Sequence, residues 1–519
     1  MKSYKNMYFI SVIIIFLILF FLYRNISIDN IWLHLGYYDE KITVANTADV
    51  HGHIIYEDNS WGQYTTEDIY GVMGLPIAKG LYDKIESEDS IILDSGDMFH
   101  GTNESLINNG EGVVKVANGM GYAGAALGSN DFNFGYERLL EIKGELNYPI
   151  LCANFYVDGS RVFEPYEILT AGKKKVAVFG LITEDVAKTS KIKDLKNLEV
   201  KDPIEEAKGV LEDVRNRVDV VIMLSYLGDN IDEKLVKEVE GIDLVLSGRR
   251  HNLYTKAVKV NNTYIAEAGA WVTHLGIADI YFKNGKIKKI TWRVESTTKE
   301  SFADEEMGSI AEEYHKKALA YQKEVVGESK IDLDGKRINI RTGETDLGDL
   351  MADAMRNQGN ADIALMNGGG IRESMKAGKI NMYQIQKVLP FSNSLITISA
   401  TGDQIIKALE RGVKKYPDAK NGAFLQVSGI KYTIDESKDV GMRIKDVYVG
   451  NEIIDKKKNY VVALSDYIYY GGDDYIEFDG CEVLDSGELL SNVLANYIKE
   501  NKTITTIEMD RITIINKRY

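Results

Sequence analysis

The sequence is poor in the residues that sulfur chemistry needs. Of its 519 residues only two are cysteines, Cys152 and Cys481. Two thiols exclude a disulfide-rich scaffold and any cysteine-based zinc cluster. Histidine is scarce too: His34, His51, His53, His100, His251, His274 and His315 are the full set. A metal enzyme made from this chain must draw its ligands from those seven and from carboxylates. Basic charge is in deficit, with 62 Lys and Arg against 78 Asp and Glu and a net charge of −16. Binding nucleic acid needs a basic face to neutralise phosphates, so this balance argues against such a partner and leaves room only for a local basic pocket. Fixed-period repeats and low-complexity segments are absent. What is present is globular composition, 45% apolar and 27% charged, at a length that suits two or three domains.

One long apolar run stands at the start. Residues 7–23, MYFISVIIIFLILFFLY, carry no charge, at the short end of the ~17–25 residues that span a bilayer. Lys2 and Lys5 precede the run and Arg24 follows it. The following RNISIDN offers no small-residue cleavage site, so the pattern predicts an uncleaved signal anchor. The leading lysines predict a cytoplasmic tail at 1–6, a cell-membrane span at 7–23, a tether at 24–40 and the bulk of the chain outside.

From residue 41 apolar strand-like runs alternate with helical stretches. KITVAN (41–46), SIILD (90–94), AGAALG (123–128), KVAVFGL (175–181), VDVVIML (218–224) and IDLVLSG (242–248) are short and buried in character. This alternation predicts an α/β layered domain over 41–300, with functional residues at the strand ends. Residues 301–323 are charged and helix-compatible and predict a linker helix. A second α/β pattern fills 324–519.

Polar residues cluster just past several of these strands. Asp49-Val50-His51 follows the first, Gly96-Asp97 another, and His251 closes the turn after 242–248. Carboxylate plus neutral imidazole suits Zn, Mn or a similar divalent metal.

In order, TADVHGH (47–53), LDSGDMFHGT (93–102), LGSNDFNFG (127–135), LSYLGD (224–229) and LSGRRHN (246–252) resemble the metallophosphatase motif blocks of the 5'-nucleotidase family. That family includes UDP-sugar hydrolases and 2',3'-cyclic nucleotide phosphodiesterases. RINIRTGETDLGDLMADAMR (337–356), NGGGIR (367–372), VLPFSN (388–393), GAFLQVSGIKY (422–432) and YGGDDY (470–475) resemble its C-terminal substrate-binding domain. The resemblance implies a calcineurin-like metallophosphatase domain of two packed β-sheets flanked by helices, followed by an α/β 5'-nucleotidase C-terminal domain. It also implies hinge motion near 301–330.

Carried over by position, the first metal site falls on Asp49, His51, Asp97 and His251. The second site is degenerate, because Ser129, Tyr226 and Arg249 stand where the family places ligands. Neutral serine and tyrosine hydroxyls are poor ligands, and arginine cannot ligate. The catalytic dyad positions carry Asn130 and Asn133, which cannot titrate. The count implied is one divalent ion, at most two. A fixed Arg249 would hold an anion in place of the missing cation, or else it would point to solvent. In the C-terminal domain the resemblance places phosphate-binding arginines at Arg337, Arg341 and Arg372. Asn367 falls on a substrate contact, Phe391 and Tyr467 on the pair of rings that sandwich a base, and Asp473 on the ribose-binding acid. The three glycines after Asn367 suit close backbone approach and an anion. Two functions follow from these positions: a membrane-anchored hydrolase of nucleotide phosphoesters with impaired or altered activity, or a nucleotide-binding pseudoenzyme.

Overall fold

The computed structural model describes residues 27–58, 71–186, 192, 195–298, 301–391 and 393–517. The expected span at 7–23 lies outside them. Among the described residues no helix is long and apolar enough to cross a membrane.

Two six-stranded sheets form the N-terminal domain. The first runs in the order Lys286–Ser296, His274–Lys283, Glu40–Thr47, Ser90–Asp94, Gly124–Ala126, Ile150–Leu151. Its inner strands are parallel from Glu40–Thr47 onward. The second has a parallel centre of Lys174–Ile182, Val220–Tyr226, Leu244–Ser247 and Thr263–Glu267, with antiparallel edges. The strands are near-continuous apolar runs because both faces are covered. Val44, Leu93, Val176, Ile222 and Leu246 interlock between the sheets with almost no exposure. Helices cover the outer faces. One is Pro203–Val214, whose first turn is capped by the Asp202 carboxylate and begins with proline.

Residues 27–39, expected as a tether, fold onto this domain. The helix Ile28–His34 is capped by Ser27. Asp29 pairs with Lys289 at 2.8 Å, and Tyr38 packs its ring 4.9 Å from Tyr281. Buried aromatic contact and a partly buried ion pair hold the segment that the sequence pattern left as a spacer. The helix Glu305–Gln322 likewise does more than connect. Met307, Ala311 and Tyr314 bury their side chains in the outer core of the N-terminal domain.

The C-terminal domain has a mixed five-stranded sheet in the order Leu425–Ser428, Ile363–Asn367, Asn459–Ser465, Ser394–Thr401, Glu482–Leu489. The helices Asp346–Gln358, Met382–Val388 and Leu490–Asn501 cover one face. The helix Gly402–Gly412 and a small four-stranded sheet cover the other. Both domains turn their loop-rich ends toward each other, and the side chains at issue gather there.

Candidate metal centre and nucleotide pocket

Each metal-type side chain sits just past a strand. Asp49 and His51 follow Glu40–Thr47, Asp97 follows Ser90–Asp94, and His251 follows Leu244–Ser247. All four take left-handed backbone angles, with φ of 48°, 48°, 55° and 57°. Arg249, Trp271 and the β-branched Val272 do the same beside them. Such angles cost of order 1–3 kcal/mol each at a non-glycine residue and persist only where the surroundings impose them. Backbone hydrogen bonds impose them here: His51 N–H donates to Asp97 O at 2.8 Å, and Trp271 N–H to Asp49 O at 2.7 Å. Gly128 is required because a Cβ there would lie 2.0 Å from Asp97 Oδ1.

Ligand atoms of Asp49, His51 and His251 lie within 4.8 Å of one another. His51 Nε2 and His251 Nε2 are 3.2 Å apart, and Asp49 Oδ1 is 3.6 Å from His251 Nε2. Burial lowers both imidazoles, His251 to about 3, so both are neutral ligands at neutral pH. Burial, and then the Asp97 charge, raise Asp49 well above the usual carboxylate range. Asp94, Asp131 and Glu267 are buried close by. Carboxylates packed at this density call for a cation. The donor set, one carboxylate and two neutral imidazoles, fits a divalent transition metal.

Asp97 Oδ2 stands 3.8 Å from His51 Nε2, as near as Asp49 Oδ1 at 3.9 Å, and the Asp97 oxygens also accept several hydrogen bonds. Its Oδ1 accepts the Asn130 N–H at 2.7 Å and its Oδ2 the Asn130 side-chain amide at 2.7 Å; Tyr226 O–H also donates to Oδ2. Burial, and then the Asp97 charge, hold the Tyr226 phenol protonated well above its ordinary range. Both Asp97 oxygens are therefore engaged, Oδ1 by a backbone N–H and Oδ2 by the Asn130 and Tyr226 side chains. Ser129 Oγ lies 3.4 Å from Tyr226 O. Asn133 donates to Asn130 Oδ1 at 2.9 Å, so the former dyad is a pair of bonded amides.

Arg249 takes neither course expected of it. It is buried, 7% exposed. Its guanidinium donates to Leu227 O at 2.8 Å and Asp185 Oδ2 at 2.9 Å, and lies 4.8 Å over the Tyr470 ring. Arg250 donates to Tyr470 O at 2.6 Å. Tyr470 belongs to the C-terminal domain, so these arginines tie the two domains together, while Arg249 Nε, buried without a partner, stays unmatched in the wall of a cavity between the domains.

The nucleotide-type residues surround a cavity of about 310 Å³. Arg341, Asn367, Arg372, Phe391, Tyr467 and Asp473 line it. Arg337 is exposed and outside that lining, although its charge, after burial, lowers both Arg341 and Arg372. Arg341 Nε is buried without a partner. A cluster of like charges with an orphan donor is an anion site. Asn367 donates to Asp473 Oδ2 at 2.9 Å, and the Tyr467 hydroxyl accepts the Asp473 N–H at 3.2 Å. Burial raises the Asp473 carboxyl, with Asn367 and Arg341 opposing it.

The three glycines do not cradle an anion. Gly368 N–H donates to Phe424 O, Gly369 to Gly422 O and Gly370 to Asn367 O. Their small size serves packing: a Cβ on Gly368 would meet Ile340 O at 2.4 Å.

A second cavity, of about 440 Å³, lies between the domains, lined by Asp97, Tyr226, His251 and Tyr470. It shares Asn393 and Tyr467 with the nucleotide cavity. Three contributors escaped the sequence reading. Asp131, at the fourth position of the GSND block, accepts the Asp97, Phe99 and Gly128 N–H groups. Trp271 stands 5.1 Å from the His251 ring and 6.3 Å from Phe391. Asp466 accepts from Asn393 and the Ser394 N–H, and burial raises it to about 6. Only the local density of acids and rings in 466–475 hinted at the last.

Fold and site define the class: a calcineurin-like α/β metallophosphatase domain joined to a substrate-binding domain. Residues 325–480 match the model of the 5'-nucleotidase C-terminal domain family. The chain is 30% identical over 489 residues to the trifunctional nucleotide phosphoesterase YfkN of Bacillus subtilis, covering 84% of this chain and 32% of that one. It therefore spans about a third of that relative's length. It is 27% identical to the 5'-nucleotidase of Vibrio cholerae, covering 89% of this chain and 91% of that one. The 5'-nucleotidase precursor of Thermus thermophilus superposes with a TM-score of 0.61 at 26% identity, covering 92% and 100% of the two chains. Residues 325–480 belong to the 5'-nucleotidase C-terminal domain family, and the chain is similar to 5'-nucleotidases over most of its length.

Proposed function

We propose that the protein is an extracytoplasmic, metal-dependent hydrolase of nucleotide phosphoesters that works with one divalent ion and at reduced turnover. The observation that carries this reading is the trio Asp49, His51 and His251 beside an interdomain cavity that shares the wall residues Asn393 and Tyr467 with the arginine-lined pocket. The relatives named as 5'-nucleotidases support the substrate class. The uncharged run at 7–23 supports a single-pass anchor in the cell membrane with the bulk of the chain outside.

In this reading Arg341 and Arg372 hold the phosphate, and Phe391 and Tyr467 flank the base. Asp473 accepts from the ribose hydroxyls. Asp49, His51 and His251 would hold the metal, which supplies Lewis acidity to the phosphoryl group. Asn130 donates hydrogen bonds but moves no proton, so the acid–base share of the rate, ~10²–10⁴, is missing.

One observation favours the second reading, a nucleotide-binding pseudoenzyme: Asn130 and Tyr226 occupy both oxygens of Asp97. The test is a metal count and phosphate release on purified residues 27–519 with a nucleoside monophosphate and added Mn or Zn. One metal and slow release, abolished by Asp49→Ala, supports the hydrolase. Binding with no release leaves the pseudoenzyme. If no nucleotide binds, both readings fail.

A further inference from the structure

A cavity of about 460 Å³ opens where the two domains and the helix Glu305–Gln322 meet. None of the metal-type trio lines it, and of the nucleotide-pocket residues only Phe391 does. Two buried polar atoms on its walls have no hydrogen-bond partner, His53 Nδ1 and Gln386 Oε1. His53 is 7% exposed. Its nearest acid, Glu57 Oε1, stands 3.6 Å away, beyond hydrogen-bond reach. The Gln386 amide nitrogen is already given to Asn103, which leaves the carbonyl oxygen unmatched. Orphan buried polar atoms are rare in folded chains, and two on one cavity point to a partner supplied from outside.

The lining specifies that partner. Glu57, Asp58 and Glu104 contribute carboxylates, of which Glu104 is already paired with the lining residue His315 at 2.7 Å, and Lys387 is the one lysine or arginine among the lining residues. Acceptors dominate, so the ligand is a cation rich in donors. A bare metal ion does not suit the site. Among the described residues, only Asp49, His51 and His251 bring three metal-type ligand atoms within 4.8 Å of one another. The volume is that of a small-molecule pocket, and Ile55, Leu106, Leu319 and Leu389 make part of the wall apolar.

We propose that this interdomain cavity binds an aliphatic di- or polyamine. One ammonium stands on the cavity side of His53 Nδ1 and Glu57 Oε1, which at 3.6 Å apart are close enough for one nitrogen to donate to both. A second ammonium donates to Gln386 Oε1. His53 and Glu57 lie in the N-terminal domain and Gln386 in the C-terminal domain, so the amine bridges them. The proposal is independent of the reaction assigned above.

Calorimetric titration of the full chain with spermidine and with putrescine tests it. One spermidine binds per chain, and Glu57→Gln and Gln386→Leu each weaken binding about ten-fold. Glu205→Gln, an exposed acid on the helix Pro203–Val214, changes nothing. Both cavity variants keep the wild-type circular dichroism and manganese uptake at Asp49. The absence of saturable amine binding overturns the proposal. So does binding that survives Glu57→Gln and Gln386→Leu together, or that falls equally with Glu205→Gln, which would mark a diffuse response to net charge. A second manganese ion lost with Glu57→Gln, in place of amine binding, overturns it in favour of a metal.

Discussion

The metal centre packs carboxylates around two neutral imidazoles, while the nucleotide pocket gathers guanidiniums around a single acid, Asp473. One region has surplus negative charge and the other surplus positive charge, and the cavity between them has Asp97 and His251 of the first and Asn393 and Tyr467 of the second in its walls. A dianionic phosphate bridging a cation and an arginine cluster would balance both. The positions that depart most from the resemblance lie in the first region, and their side chains bond largely to one another and to nearby residues. Asn130 and Tyr226 bond to Asp97, Asn133 bonds to Asn130, and Arg249 turns to Leu227, Asp185 and Tyr470. The nucleotide pocket keeps an open anion site with Arg341 Nε unmatched.

The sharpest way to break this contrast is to undo the divergence. Replacing Ser129 by Asn, Asn130 by His, Asn133 by Asp, Tyr226 by His and Arg249 by His together should raise the metal count from one to two. Phosphate release should rise by ~10²–10⁴, the usual share of acid–base catalysis. A variant that still binds one metal would mean that the closure around Asp97 is not what limits the site.

Removing what remains of the metal centre comes next. Asp49→Ala should weaken metal affinity by more than ~100-fold, since removing a residue that merely hydrogen-bonds to a ligand already costs ~10–100-fold. In the wild type, affinity should rise with pH as the raised Asp49 carboxyl gives up its proton, because proton and metal compete for it. Burial lowers both imidazoles, His251 to about 3, so their protons compete with the metal only in a more acidic range than a free imidazole's. A metal titration followed by thermal shift at several pH values reads both effects.

On the arginine side, Arg341→Ala should lower nucleotide affinity by about 10–100-fold, the worth of charge-assisted hydrogen bonds. Metal affinity should be unchanged. Arg337→Ala should do less, because Arg337 is exposed and outside the cavity lining. Equal losses at the two positions would erase the distinction between them.

Much of this was legible in the sequence. The strands followed from short apolar runs, and the ligand positions from residues just past their ends, because a parallel sheet fixes where its loops converge. What was illegible depended on contacts between distant segments. No local signal says that Arg249 meets Tyr470, 221 residues on, or that the NGGG amides are spent on Phe424, Gly422 and Asn367. The segment 27–39 read as a tether because it has no strong periodicity, yet Asp29 finds Lys289 and Tyr38 finds Tyr281.

The arginine bridge between the regions should have a moderate effect. Tyr470→Ala removes the ring under Arg249, a cation–π contact of ~0.5–2 kcal/mol. Arg250 keeps its bond to the Tyr470 carbonyl, so the domains should loosen without separating. X-ray scattering should give a slightly larger radius of gyration, and nucleotide affinity should fall a few-fold. An unchanged radius would mean that the remaining interdomain contacts suffice.

The smallest effect is expected where the helix Glu305–Gln322 meets the N-terminal domain. His315 Nδ1 lies 2.7 Å from Glu104 Oε1, and this hydrogen bond raises the imidazole above its ordinary range. A raised folded-state value means that the folded chain holds the proton more tightly than the unfolded chain. Stability from this pair is then fully present below about pH 6.5 and fades as pH climbs through the folded value. The pair is partly exposed, so its worth is about 0.5 kcal/mol. His315→Gln should therefore lower stability by that amount near about pH 6 and by almost nothing near about pH 8, read by urea unfolding. A loss that is the same at both pH values would assign the role of His315 to packing and not to charge.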